Sequence, residues 1–128
     1  MRIITIGRSR QFEVAVSDID YDFLMQWLWT FAVSHRGGDL IYARRSIRVG
    51  DANVTILMHR VILRERMGLE PPTPRHTGDH RDGDSLNNQR SNLRWLTPKQ
   101  QMANRIRLSR QWAKVAAEAT AADNALPF

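Results

Sequence analysis

The spacing of apolar residues along the chain predicts its first elements. Two short apolar runs, at residues 3–6 and 12–16, flank a polar turn and predict a β-hairpin. A helix is expected next, capped by Ser17 or Asp18 and running to about residue 27. Aspartates are frequent in its first turns, where the positive end of a helix dipole favours them.

The following segment has the pattern of a β-sheet. Residues 29–34, 40–49 and 54–58 are rich in β-forming side chains, and Gly-Gly and Gly-Asp pairs separate them. This pattern predicts a three-stranded antiparallel meander. Side chains of the middle strand alternate between an apolar face and a polar face. The apolar face holds Ile41, Ala43 and Ile47, and the polar face holds Tyr42, Arg44, Ser46 and Arg48. Arg45 interrupts the apolar face, so we expect that face to be partly buried.

A short helix over about residues 59–67 and a stiff Pro-rich connector at 70–74 follow the meander. The connector predicts a division of the chain. The expected parts are an N-terminal sheet unit (1–70), a compact module (71–112) and a helical or frayed tail (113–128).

Inside the module, residues 78–80 and 93–96 are expected to pair as strands around a polar, turn-rich loop. A long helix should then begin with Thr97 as its N-cap and Pro98 in its first position. Met102, Ile106 and Val115 are predicted to mark its inner face.

Composition narrows the classes of function. The chain has 128 residues and a net charge of +6, which suits one domain or two small units that share a core. It has no cysteine, which excludes a disulfide scaffold, a Cys-rich zinc finger, an iron–sulfur site and thiol chemistry. The most apolar stretch, residues 23–33, is shorter than the ~18–20 residues of a membrane span, so we expect a cytoplasmic protein without a membrane partner.

Arginine dominates the basic residues, with 17 Arg and only two Lys. The planar guanidinium fork can bind phosphate or guanine through two parallel hydrogen bonds. A GC-rich genome would give the same bias. Arginine content therefore suggests a nucleic-acid partner without establishing one.

The strongest chemical signal spans residues 79–101. It contains the motifs Asp79-His80, Asp82-Gly83-Asp84, Asn87-Asn88, Asn92-Leu93-Arg94 and Thr97 followed by Gln100-Gln101. A strand that ends in an acid and an imidazole, followed by a loop, a strand and a helix with amide side chains, can surround a small divalent ion. Oxygen ligands of this kind suit Mg²⁺ or Mn²⁺. A neutral imidazole beside them can accept a proton from water.

This segment resembles the HNH endonuclease family, of the His-Me or ββα-metal finger type, and in particular its small phage and intron-encoded homing group. The family pattern begins with Asp-His, continues through a Gly flanked by Asn or Asp, an Asn pair and Asn-Leu-Arg, and reaches a Thr before a helix. Residues 79–101 follow this order. The N-terminal unit is also similar to that group. That similarity rests on Trp27-x-Trp29, Tyr42-Ala43-x-Arg45 and Met58-His59-Arg60-x-Ile62.

The resemblance implies a role for each matching residue. His80 would be the general base and Asp79 a metal ligand. Asn92 would hold the loop and orient His80. The second metal ligand of the family, usually Asn or His, falls on Gln101, whose amide arm is longer, and Asn104 lies on the same helix face and could replace it.

The resemblance thus implies an α+β fold: an N-terminal three-stranded DNA-binding sheet with short helices, a ββα-metal finger module and a long C-terminal helix. The implied function is metal-dependent hydrolysis of double-stranded DNA in a bacterial or phage-infected cell. One site cuts one strand, so a monomer would nick and a double-strand break would need a homodimer or two visits. The alternative is a catalytically weakened DNA-binding protein, accessory to phage packaging or recombination machinery. An RNA-binding protein is the third hypothesis.

The expected DNA contacts come from two surfaces. They are the polar face of the meander and the basic helix. The residues predicted for them are Arg36, Tyr42, Arg44, Arg48, Arg94, Lys99 and Arg105. A solvated surface is the alternative for both. His59 could join the site, although a structural role is favoured, and Trp27, Trp29 and Trp95 are expected in the core rather than stacked on bases.

Overall fold

The first sheet joins the N-terminal hairpin to a short strand at residues 87–88. In the computed structural model, which describes residues 1–34, 40–107 and 110, β1 (Arg2–Ile6) and β2 (Phe12–Val16) form the expected antiparallel hairpin. Alternate residues of the hairpin point inward and are buried. A two-residue strand, β7 (Asn87–Asn88), pairs in parallel with the other side of β2.

Helix α1 (Asp18–Leu24) is three residues shorter than predicted. The indole Nε1 of Trp29 donates a 2.8 Å hydrogen bond to the carbonyl oxygen of Leu24. This bond satisfies a terminal carbonyl of the helix, and the chain then turns so that Trp29 is buried. Ser17 precedes the helix, but its hydroxyl accepts a hydrogen bond from the backbone N–H of Arg90 instead of capping α1.

The second sheet has the antiparallel order β3 (Thr30–Ser34), β4 (Leu40–Val49) and β5 (Ala52–Leu57). Ala43 is buried in the core, while Ile41 and Ile47 are half-buried. The guanidinium of Arg45 lies 4.3 Å from the ring centre of Trp27 and 5.7 Å from that of Trp29. Arg45 can therefore occupy the apolar face because it stacks on aromatic rings. The predicted Gly37–Gly38 turn and Arg36 lie outside the described residues.

The ββα unit follows a helix that changes its winding. Helix α2 (Met58–Val61) continues as a π-helical turn over Ile62–Arg66, and the two buried residues Ile62 and Leu63 begin that turn. β6 (Thr77–His80) then pairs antiparallel with β8 (Leu93–Leu96), and the 3₁₀ turn Arg90–Asn92 leads into β8.

Helix α3, described over residues 98–107, starts at the predicted position. Thr97 Oγ1 accepts a hydrogen bond from the backbone N–H of Gln100, and Gln100 Oε1 accepts one from that of Thr97, which forms a capping box. Its predicted inner face is wrong. Met102 and Ile106 are 56% and 46% exposed, whereas Asn104 is buried. Val115 and the tail at 113–128 lie outside the described residues.

One hydrophobic core serves the described part of the chain. It includes Val14 of β2, Leu24 of α1, Met58 of α2 and Leu93 of β8. The predicted α+β class is confirmed. Residues before and after the connector at 70–74 belong to the same core, which agrees with two small units that share a core. The division of the chain at the connector stays a prediction. No described helix is long and apolar enough to cross a membrane.

Candidate active site

Two polar residues at the end of β6 form the centre of the candidate site. Asp79 and His80 are 9% and 6% exposed. Because side chains alternate along a strand, Thr77 and Asp79 share one face of β6, while Gly78 and His80 share the other. The acid and the imidazole thus leave the strand in opposite directions.

The imidazole of His80 is held by Asn88. Its Nε2 lies 2.7 Å from Oδ1 of Asn88, which is itself 1% exposed in β7. An amide oxygen only accepts hydrogen bonds, so Nε2 carries the hydrogen and Nδ1 carries the lone pair. Burial lowers the pKa of His80, and it outweighs the Asn88 hydrogen bond and the charges of Asp79, Asp82 and Asp84, which act in the opposite direction. The ring is therefore neutral at pH 7.

Asp79 faces the side of the module that carries α3. Its Oδ2 accepts a 2.9 Å hydrogen bond from Nε of Arg94, the opposite residue on β8. Gln101 of α3 donates a hydrogen bond through its Nε2 to Oγ1 of Thr77, on the same face of β6. The amide nitrogen of Gln101 is thus engaged, which leaves its amide oxygen as the atom that can bind a cation on this face.

The predicted substitute ligand, Asn104, is engaged elsewhere. Its Oδ1 accepts a 2.8 Å hydrogen bond from Nη2 of Arg107. Among residues 1–34, 40–107 and 110, no group of three or more His, Cys, Asp or Glu side chains could hold a metal ion. One carboxylate and one amide oxygen remain, a donor set that fits Mg²⁺, because this ion keeps several waters and shares substrate phosphates.

Asn92 stabilises the loop between the two strands. Its Oδ1 accepts from the backbone N–H of Asp82, and its Nδ2 donates to Asp82 Oδ1 and to the carbonyl oxygen of Asn87. Within the described residues it makes no hydrogen bond to His80. The expectation that Asn92 itself orients His80 is therefore corrected: Asn88 makes that bond, because the parallel pairing of β7 with β2 brings it under the imidazole.

Two further rings surround His80. The ring centre of His59 is 4.9 Å from that of His80, and the ring centre of Tyr42 is 5.8 Å from His59 and 6.1 Å from His80. Burial raises the pKa of Tyr42; the charge of Asp79 raises it further, and that of Arg105 lowers it. Tyr42, predicted on a DNA-binding face, thus lies beside the imidazole.

Residues 57–103 match the family model described as HNH endonuclease. These residues are thus similar to an HNH endonuclease domain, and this segment is called the HNH domain. The resemblance inferred from the residue pattern is confirmed for this segment, and it suggests a nuclease. No curated protein and no solved structure matches the chain.

Apart from Arg36, the residues predicted to contact DNA lie on the HNH domain and on the sheet beside it. Arg44 and Arg48 lie on the same face of β4 as Tyr42, half-buried and exposed respectively. Lys99 and Arg105 are exposed on α3. Arg94 differs from these residues because its guanidinium is bound to Asp79.

Sequence reasoning missed Asn88 as the partner of His80 and left His59 undecided. Both asparagines of the Asn87-Asn88 pair were visible in the motif, but the choice of partner depends on the pairing of β7 with a strand some seventy residues earlier. For His59, the residue in the sequence that could have indicated its position is Gly78. A side chain at position 78 would collide with the His59 ring, and glycine has none. Trp29 is buried as expected, and Trp27 and Trp95 pack against the core.

Proposed function

We propose that the HNH domain hydrolyses DNA phosphodiester bonds in a metal-dependent reaction, as an endonuclease of the homing type. The supporting observation is the state of His80: a buried, neutral imidazole whose Nε2–H is bonded to Asn88 and whose Nδ1 holds a free electron pair. This is the form of histidine that a general base requires.

In the proposed reaction, Nδ1 of His80 takes a proton from a water molecule as the water oxygen attacks the scissile phosphorus. The hydrogen bond to Asn88 Oδ1 fixes the ring and supports the charge that the imidazole gains. The bond from phosphorus to its 3′ oxygen breaks, and that oxygen leaves with the electron pair. The low folded-state pKa of His80 keeps the base unprotonated before the reaction.

Asp79 and Gln101 would hold the divalent cation on the other face of β6. When bound, such an ion stabilises negative charge on the phosphate oxygens and on the leaving oxygen. Arg94 keeps one oxygen of Asp79 in place, and Thr77 fixes the amide group of Gln101. Both contacts orient the two candidate ligands before DNA binds.

The polar face of β4 would position the duplex. Tyr42 reaches the imidazole, so Arg44 and Arg48 extend away from the site along the same face. At about 3.3 Å per residue, the strand from Tyr42 to Arg48 covers a distance of about 20 Å. Exposed Lys99 and Arg105 would contact backbone phosphates from α3.

One experiment tests the activity. Purified protein is incubated with supercoiled plasmid and Mg²⁺ or Mn²⁺, next to a His80→Ala variant and a His76→Ala control. The ring of His76, which follows the connector, bonds to Thr73. We expect wild type and His76→Ala to nick and His80→Ala to leave the plasmid supercoiled while still binding it. An intact plasmid with wild-type protein, together with a retained gel shift, would contradict the proposal.

A second function is supported by the departure at Gln101. This residue replaces the Asn or His of the family pattern, and its amide nitrogen is bound to Thr77. A weakened metal site would leave a DNA-binding or accessory protein that retains the HNH fold. In that case wild type should bind DNA without nicking, and Gln101→Asn should restore cleavage.

We place this activity in the cytoplasm of a bacterial or phage-infected cell. A single HNH domain has one base, so a monomer is expected to nick one strand. A double-strand break would require a homodimer or a second binding event. Nicked circles that appear before linear DNA at low protein concentration would support the monomer.

A further inference from the structure

The ring of His59 packs against β6 at Gly78. It lies in α2 and is 4% exposed. A Cβ atom at Gly78 would lie 2.5 Å from Cδ2 and 2.8 Å from Nε2 of His59, closer than side-chain atoms pack. Gly78 does not have a positive φ. Space for the His59 ring, rather than backbone conformation, therefore explains why glycine suits position 78.

The same contact brings His59 against the base. Gly78 and His80 share one face of β6, so a ring that packs on Gly78 is a neighbour of the His80 ring. The two ring centres are 4.9 Å apart, with an angle of 56° between the planes. Tyr42 completes the group from β4, near both histidines. The His80 ring is thus bounded by Asn88 at its Nε2 and by two aromatic rings at its side.

His59 contributes packing and no charge. Burial, aided by the charges of His80 and Arg60, lowers its pKa to about 3, so the ring is neutral in the working range of pH. Among the described residues, neither of its ring nitrogens makes a hydrogen bond within the protein. Its contacts with Gly78, Tyr42 and His80 are therefore what holds it in the site.

We propose that His59 is a positioning residue for His80: its ring, seated on Gly78, keeps the imidazole aligned with Asn88 and with the attacking water. The proposal rests on the proposed function of His80 as general base. If the His80 ring could tilt, its Nδ1 would no longer be aligned with the attacking water. A displacement of about 1 Å can cost on the order of 100-fold in rate.

The test is a cycle of four proteins: wild type, His59→Ala, Gly78→Ala and the double variant. Gly78→Ala adds the Cβ that displaces the His59 ring, whereas His59→Ala removes the ring. We expect each single variant to lose on the order of 100-fold in single-turnover nicking rate, with unchanged DNA affinity. Because both act through one ring, the double variant should be no slower than His59→Ala. Wild-type nicking by His59→Ala, or losses that multiply in the double variant, would overturn the proposal.

A second readout does not need cleavage. The ¹⁵N spectrum of the His80 ring reports its tautomer, and ring-proton contacts report its distance from His59. Wild type should show one tautomer, with hydrogen on Nε2, and His59→Ala should show a mixture. Unchanged His80 signals in a folded His59→Ala protein would overturn the positioning role. If wild type fails to nick, the proposed function fails, while these signals still decide whether His59 orients His80. Gly78→Ala gives the same comparison should His59→Ala not fold.

Discussion

A buried carboxylate joins three parts of the fold, and its removal is the most informative test of the structure. Asp20 of α1 has no exposed surface. Its Oδ1 accepts from Arg66 Nε at 3.0 Å and from Arg90 Nη2 at 2.6 Å, and its Oδ2 accepts from Arg90 Nε at 2.8 Å. Arg66 belongs to the π-helical turn, and Arg90 begins the 3₁₀ turn before β8. Asp20 therefore connects the N-terminal hairpin region to the HNH domain.

Asp20→Ala removes the carboxylate that accepts from both guanidinium groups, and Arg66 keeps its 3.1 Å hydrogen bond to the Ile19 carbonyl oxygen. Breaking a buried ion pair by removing one partner costs about 3–5 kcal/mol. Both arginine side chains remain 28% exposed and can regain some hydration. We therefore expect a loss of about 2–4 kcal/mol in the free energy of unfolding. At roughly 4 °C per kcal/mol for a chain of this size, Tm should fall by about 8–16 °C.

The stabilising effect of Asp20 should also depend on pH, in a direction that its pKa determines. Burial alone would raise the pKa of Asp20, but the hydrogen bonds and charges of Arg90 and Arg66 outweigh it, so the folded-state pKa lies below the ordinary 3.8. A depressed pKa contributes stability above the unfolded-state pKa, and this contribution disappears as pH falls through the folded-state value. The difference in stability between wild type and Asp20→Ala should be complete at pH 7 and shrink at low pH.

Urea unfolding followed by circular dichroism measures both effects, with Asp22→Ala as the matched control on the exposed surface of α1. The control should change stability by less than about 0.5 kcal/mol. A loss below about 1 kcal/mol for Asp20→Ala at pH 7 would refute the reasoning, since it would mean that the cost of desolvating the charges cancels their attraction.

Three further predictions concern the proposed cleavage of DNA. Because burial lowers the pKa of His80, the acid limb of the single-turnover pH–rate profile should lie below pH 6.5, and a limb above 7 would contradict a buried neutral base. Gln101→Ala should raise the Mg²⁺ concentration for half-maximal nicking by about 10-fold or more, measured by metal titration, and an unchanged titration would remove Gln101 from the ligands. Arg44→Ala and Arg48→Ala should each weaken DNA binding and reduce the salt slope by about 1, whereas Arg64→Ala, whose guanidinium is paired with Glu70, should not.

Local patterns predicted most of the elements. The alternation of apolar residues and the glycine turns identified the first hairpin and the three-stranded meander, and Thr97-Pro98 identified the start of α3. These features depend on neighbours in the chain, so the sequence contains them directly. Helix α1 ends at Leu24, whose carbonyl oxygen accepts a hydrogen bond from the indole of Trp29, five residues further on. The periodicity of apolar residues along the helix contains no information about this contact.

Longer-range contacts could not be predicted in the same way. β7 has two residues and no periodicity, yet its pairing with β2 brings Asn88 to His80. The inner face of α3 was misassigned because Met102 and Ile106 are apolar, whereas the side of the β6–β8 sheet that α3 meets is lined by polar side chains such as Asp79. Amide side chains of the helix, rather than apolar ones, are the groups that can satisfy such a surface.

The central claim is that His80 is the base of a DNA-cleaving site, and the most direct measurement is the single-turnover nicking rate of His80→Ala relative to wild type at saturating protein and Mg²⁺. Removal of a general base should slow the reaction by about 10²–10⁴-fold, while the protein stays folded and its DNA affinity stays near the wild-type value. A His80→Ala protein that nicks at the wild-type rate would contradict the account.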